Sequence, residues 1–163
     1  MSEETNVALN YLSKNRAVMT IPALRDLTIT LKNWSLPGIS LPPIEVPSPF
    51  YQKKFAGDKV LYETFQASFL VDSELKNWLS IFYWMIGLGA PEDKSQYREK
   101  ILDELDIYLT VYSAKNNPIV RFKFIESIPT YLGRIDFSEE ITETTPVESY
   151  FTLEYLRFEP CPV

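Results

Sequence analysis

The chain contains no histidine, a single cysteine and 22 acidic side chains, so any chemistry of its own must rest on carboxylates. Without histidine there is no Ser-His-Asp triad, no Cys-His dyad, no HExxH zinc site and no imidazole pH switch. Cys161, between Pro160 and Pro162, lacks a partner for an intrachain disulfide or a metal cluster and leaves the redox compartment undeclared. The carboxylates gather as Asp103, Glu104 and Asp106 ahead of a strand pattern, and as Glu139, Glu140 and Glu143 in a later loop. A glycosidase-type pair needs its carboxyl groups about 5–10 Å apart across a cleft, and nothing in the spacing makes these groups face one another. Neither cluster carries the turn glycine of a calcium loop. Gly57-Asp58-Lys59 lacks the rest of a phosphate loop and reads as a turn in which Gly57 supplies positive φ. Lys53-Lys54 beside Phe50, Tyr51 and Phe55 mixes cations with aromatics as single-strand binders do. Two lysines are few for that task, and a loop tip touching another protein is the better reading. No cofactor and no metal is expected.

The elements that must position these residues come from one domain of 163 residues, 45% hydrophobic, long enough to bury a core without staples. The net charge of −6 argues against a surface built to grip nucleic acid. The start, Met1-Ser2-Glu3-Glu4, is unlike a signal peptide. The longest apolar stretch, near 79–90, is shorter than the roughly 20 residues of a membrane helix. A soluble protein with no membrane partner is expected.

Period-two alternation predicts strands at Leu27–Lys32, Leu61–Val71, Leu105–Tyr112, Val120–Phe124 and Phe151–Tyr155, with a hairpin turn at Ala114–Pro118. One helix is predicted from a cap at Asp72 or Ser73 to Gly87 and Gly89. Leu75, Trp78, Leu79, Phe82, Tyr83 and Ile86 form its apolar face, and Ile81 and Trp84 add a second on the back. The cover for that second face is another subunit or the segment Glu92–Asp103. A short helix near Asn6 and a short turn after Pro129 complete the reading. Pro37, Pro42, Pro43, Pro47 and Pro49 crowd one stretch that also holds Ile39, Leu41, Ile44 and Val46. Prolines exclude a central strand, and the aliphatic residues exclude a free linker, so this is an extended arm that something covers. The fold class is mainly β with one main helix, an antiparallel sandwich or open barrel.

Three segments in this order resemble the tail tube protein family of contractile bacteriophages and related injection machines. They are the strand closing in Leu36-Pro37-Gly38 with the proline-punctuated arm; the loop Lys54–Leu61 leading to the strand at Val71-Asp72 and the helix with Trp78; and Phe122–Thr130, then Leu132–Asp136, an acidic Thr-Pro loop and the strand Val147–Phe158. The resemblance covers about residues 24–159 and divides the chain into an N-terminal extension, 1–20, and a tube-like domain, 21–163.

The resemblance implies a structural virion protein and not an enzyme: a subunit of a hexameric ring whose strands join its neighbours' into a continuous β-barrel. Rings stack as the inner tube of a contractile tail and conduct DNA during ejection. The implied partners are further copies, sheath, baseplate or tail-terminator proteins, and DNA passing without sequence preference. An initiator, baseplate or tail-completion ring of the same fold is the alternative. Contact candidates are Leu36, Pro37, Gly38, Ile39, Leu41, Ile44, Val46, Phe50, Tyr51, Phe55 and Trp84. Thr28, Thr30, Thr64, Gln66 and Ser68 are candidates for the bore. The rival from another class is a small β-sandwich enzyme or ligand-binding module using a carboxylate pair from Asp103, Asp106, Glu139 and Glu140.

Overall fold

A computed structural model describes residues 16–25, 27–89, 105–137 and 146–162. Its strands are β1 (Ala17–Ile21), β2 (Leu27–Trp34), β3 (Ile39–Ser40), β4 (Ile44–Val46), β5 (Lys53–Phe55), β6 (Leu61–Tyr62), β7 (Phe65–Leu70), β8 (Ile107–Tyr112), β9 (Pro118–Ile125), β10 (Ile128–Leu132), β11 (Glu148–Glu154) and β12 (Arg157–Cys161). The helix α1 (Lys76–Gly89) lies between β7 and β8. Eight strands form one antiparallel sheet in the order β10-β11-β7-β2-β1-β8-β9-β12. Phe65 of β7 and Phe124 of β9 nevertheless meet edge to face at 5.3 Å. Three strands separate β7 from β9, so the sheet curls back on itself and encloses its own core.

Alternation explains which side is dry. Met19, Ile21, Ile29, Leu31, Phe65, Phe69, Ile107, Leu109, Phe124, Phe151 and Leu153 are buried in one cluster. The opposite face carries Thr28, Thr30 and Lys32 on β2, Gln66 and Ser68 on β7, and Glu148, Tyr150 and Thr152 on β11. A bulge between Leu31 and Asn33 turns both Lys32 and Asn33 outward, the local re-aiming a bulge produces. Both Asn33 N–H and Nδ2 then donate to Ser68 Oγ at 3.2 Å.

Asp72 caps the helix: its carboxylate accepts from the backbone N–H of Lys76 at 2.7 Å and of Asn77 at 3.2 Å, donors that would otherwise be unsatisfied. Trp78 anchors α1 to the body by donating Nε1–H to the Gly133 carbonyl at 3.0 Å. Ser149, itself buried, donates to the same oxygen at 2.9 Å. Added bulk at Gly133 would enter the Tyr150 ring, 2.6 Å away.

Several expectations change. Ala17–Ile21, assigned to the extension, is a central strand with Ala17, Met19 and Ile21 in the core; the β domain therefore begins by residue 17. The helix is not covered on both faces among the described residues: Ile81 and Trp84 are in the core with Trp78 packed against it, while Phe82, Tyr83 and Ile86 are exposed. Gly87 lies inside the helix. The expected turn after Pro129 is strand β10, and β12 was not foreseen. The predicted strand 61–71 breaks at 63–64, and Leu61 is exposed in the arm. The segments 90–104 and 138–145 and the expected helix near Asn6 lie outside the described residues.

Candidate assembly surfaces

The arm is two successive ribbons beyond the main sheet. β3 pairs with β6 near the body, and β4 pairs with β5 further out. The root is fixed. The Gly38 N–H donates to Glu63 Oε2 at 3.0 Å, and the Glu63 N–H donates to the Gly38 carbonyl at 3.0 Å. The Tyr155 hydroxyl donates to the Glu63 carbonyl. Tyr62 packs edge to face on Tyr155 and Phe158, with ring centroids 6.1 and 5.6 Å away. Burial raises the Tyr155 phenol to about 12, with smaller contributions from nearby Glu154, Tyr62 and Glu63. Pro37 is buried at this root.

Between the ribbons the chain turns at Pro42-Pro43 on one side and Gly57 on the other. A side chain at Gly57 would collide with the Pro42 carbonyl oxygen, while no glycine has positive φ. Close approach, and not the positive φ expected, is what requires this glycine. With the fixed φ of two prolines, the elbow holds the outer ribbon in one direction.

The outer ribbon is two-faced. Directly opposed residues share a face, so the pairs Ile44–Phe55 and Val46–Lys53 lie on one side and Glu45–Lys54 on the other. That second pair is an ion pair at 3.4 Å. Ile39, Leu41, Ile44, Val46, Phe50, Tyr51 and Phe55 are all exposed, Phe50 by 92%. Leu36 and Gly38 are exposed at the root. A continuous apolar limb of this kind is a mark of an interaction surface. Trp84 is different: only 5% exposed, it belongs to the chain's own core and offers nothing to a neighbour.

Among the described residues the sheet has two unpaired edges, β10 and β12. Unpaired strand edges invite further pairing, and the prolines at 129 and 160 each remove a donor there. At the foot of the arm, on the non-core face, Asn33, Trp34, Ser35, Gln66, Ala67, Ser68 and Tyr150 line a groove of about 380 Å³. Tyr150 stacks on Tyr131 at 5.2 Å and 21°, and donates its hydroxyl to that of Tyr131 at 3.1 Å. That bond raises the Tyr150 phenol above its ordinary range.

The bore candidates separate. Thr28 and Thr30 lie on the open face of β2, where Arg16 donates to the Thr30 hydroxyl at 3.4 Å. Lys32 on that face is ion-paired with Glu148. Gln66 and Ser68 line the groove, and Thr64 donates its hydroxyl to Glu154 at 2.8 Å. Of the carboxylates proposed for chemistry, Asp106 is committed: Lys123 pairs with it at 2.7 Å, and the Glu126 N–H donates to it at 3.2 Å. That partner raises the Lys123 ammonium's pKa. Asp103, Glu104, Glu139, Glu140 and Glu143 lie outside the described residues, among which no acidic or cysteine cluster has the grouping of a metal site.

No protein-family model matches the chain. The tail tube terminator protein of Enterobacteria phage T4 is 23% identical over 168 residues, covering 98% of this chain and 94% of that protein. The tube-terminating cap of the anti-feeding prophage superposes over all of both chains, with a TM-score of 0.65 and 16% identity. The PVC sheath/tube terminator of an extracellular contractile injection system, in its extended state, covers 95% of this chain and is itself covered fully, with a TM-score of 0.64 and 17% identity. The resemblance to tail tube proteins therefore holds in fold and in a named relative over nearly the whole chain.

Proposed function

We propose that the chain is a terminating ring of a contractile tail: six copies joined head to tail, seated on the last ring of the inner tube. The observation that carries this reading is the near end-to-end match to a phage tail tube terminator, together with the cap and terminator folds. The physics supports it. A head-to-tail contact whose rotation closes yields a ring and leaves no free surface to propagate sideways. The exposed arm and the two open edges are the surfaces such closure would cover.

In this reading the arm contacts neighbouring subunits or the adjoining tube ring, and sheath or neck proteins meet the outside. The protein functions within the virion tail. DNA leaving the head passes through the bore, whose wall is the open face around Thr28 and Thr30. Each phosphate held by a free cation would add affinity through counterion release. Hydroxyls and the compensated Lys32–Glu148 pair let the polyanion slide, and Arg16, held on the Thr30 hydroxyl, adds a cation to that face.

A main-tube subunit would stack without limit, whereas a terminator stops. The test mixes purified chain with preformed tubes of its own tail and images them by negative stain. The reading predicts one added ring at one tube end and arrested growth. Long tubes grown from this chain alone would return it to the main tube, and no binding to tube ends would refute both.

A further inference from the structure

The groove beside the arm root and the arm tip have matching chemistry. Pro47-Ser48-Pro49 leads the tip, with Pro47, Pro49 and Phe50 exposed. Closely spaced prolines favour the extended left-handed helix, whose carbonyls are solvated acceptors and whose rings pack on aromatic faces. Aromatic-lined grooves recognise such segments because little ordering entropy is lost. This groove offers Trp34 and Tyr150 as faces, and the amides of Asn33 and Gln66 as donors. The Gln66 side chain makes no hydrogen bond among the described residues.

Charge points the same way. The arm, residues 36–62, carries Lys53, Lys54 and Lys59 against Glu45 and Asp58, an excess of cation in a chain of net charge −6. Lys54 is paired with Glu45, while Lys53 lies 5.9 Å over the Tyr51 ring without a carboxylate partner among the described residues. The strand beside the groove, β11, bears Glu148, already ion-paired with Lys32, and Glu154, which accepts from the Thr64 hydroxyl and has no cationic partner among the described residues.

The tip does not fold into its own groove: Phe50 stands 92% exposed and is absent from the groove's lining. Fully extended, residues 36–50 would span about 46 Å, enough to cross a domain of this size, about 40 Å wide. We infer that the Pro47–Phe50 tip of each copy seats in the Trp34–Tyr150 groove of the adjacent copy in the ring. The occupant is thus a second copy of this chain. The inference rests on the ring reading and gives that contact its two halves. It also removes Gln66 and Ser68 from the bore wall and leaves that role to Thr28 and Thr30.

The test uses two variants of the full chain. Phe50→Asp spoils the tip and Gln66→Arg spoils the groove by bulk and by like charge towards Lys53. Both sites are exposed, and an unchanged melting temperature verifies the fold; if Gln66→Arg lowers it, Ser35→Arg on the opposite groove wall replaces it. Sedimentation velocity should show each variant alone weakened in association at least tenfold. The equimolar mixture should yield a dimer and stop there, since one sound tip and one sound groove remain. Wild-type association of either variant alone, or a mixture that remains monomeric, overturns the inference while leaving the ring reading intact. An unmutated chain that stays monomeric at every concentration overturns both.

Discussion

Substituting Phe55→Ser separates assembly from folding. Phe55 lies on the apolar face of the outer ribbon, opposite Ile44, and is 56% exposed. Burying a whole phenylalanine side chain contributes about 1.5–3 kcal/mol. Roughly half of that remains to be gained at an interface, about 1 kcal/mol per contact, or roughly fivefold in affinity. A closed ring of six contains six such contacts. Weakening each fivefold moves the concentration at half-assembly by the six-fifths power of five, about sevenfold. The ribbon is outside the hydrophobic core, so the monomer's unfolding free energy should stay within about 0.5 kcal/mol of the parent. Sedimentation velocity over a concentration series reads the first quantity and urea unfolding below the assembly range reads the second. Unchanged half-assembly would refute the role of this face. A stability loss as large as that of a core substitution would refute its independence from the core.

Phe124→Ala provides the contrast. Its ring is fully buried against Phe65, Tyr155 and Phe158, and urea unfolding should show a loss of about 3–5 kcal/mol. Trp78→Phe removes the helix's donor to the Gly133 carbonyl; about 1–2 kcal/mol should be lost by the same measurement, with strand content by circular dichroism unchanged. Gly57→Ala should displace the outer ribbon, because the new methyl meets the Pro42 carbonyl; association should weaken by tenfold or more in sedimentation while the melting temperature of the monomer holds. Tyr155 gives a pH signature. Its folded pKa is raised from 10.0 to about 12, so above pH 10 the unfolded chain gives up this proton first and stability falls between those values. Urea midpoints against pH should show that fall in the parent and a smaller one in Tyr155→Phe, and identical slopes would contradict the assignment.

Much of the fold was legible because β strands with one dry face announce themselves. Leu27–Lys32, Phe65–Phe69, Ile107–Val111 and Phe151–Leu153 alternate cleanly, and each lies in the sheet with the expected residues inward. β1 escaped because Ala17-Val18-Met19-Thr20-Ile21 is a short, nearly continuous apolar run without such alternation, in which Val18 is buried too. Central strands covered on both sides lose the period-two signal. β10 and β12 were hidden by Pro129 and Pro160, residues that weaken a strand pattern but that edge strands tolerate. The helix's position was readable from Asp72, but its orientation was not. With apolar residues all round, periodicity cannot choose a face, and the choice fell to the Trp78–Gly133 bond and the burial of Ile81 and Trp84.

The arm was the most readable part of the candidate surface, since prolines and aliphatic side chains in one stretch are incompatible with either a core strand or a linker. The groove could not be read. It depends on the bulge at Asn33 and on β11 lying beside β7, which brings Tyr150 from 82 residues after Ser68 to its register partner. No local pattern encodes that juxtaposition.

The central claim is that this fold completes itself by closing with further copies and then stops. Native mass spectrometry of the purified chain over a range of concentrations tests it directly. The account predicts a closed hexamer that dominates once association begins, with no larger series beyond it. A monomer at every concentration, or an open ladder of ever larger species, would contradict it.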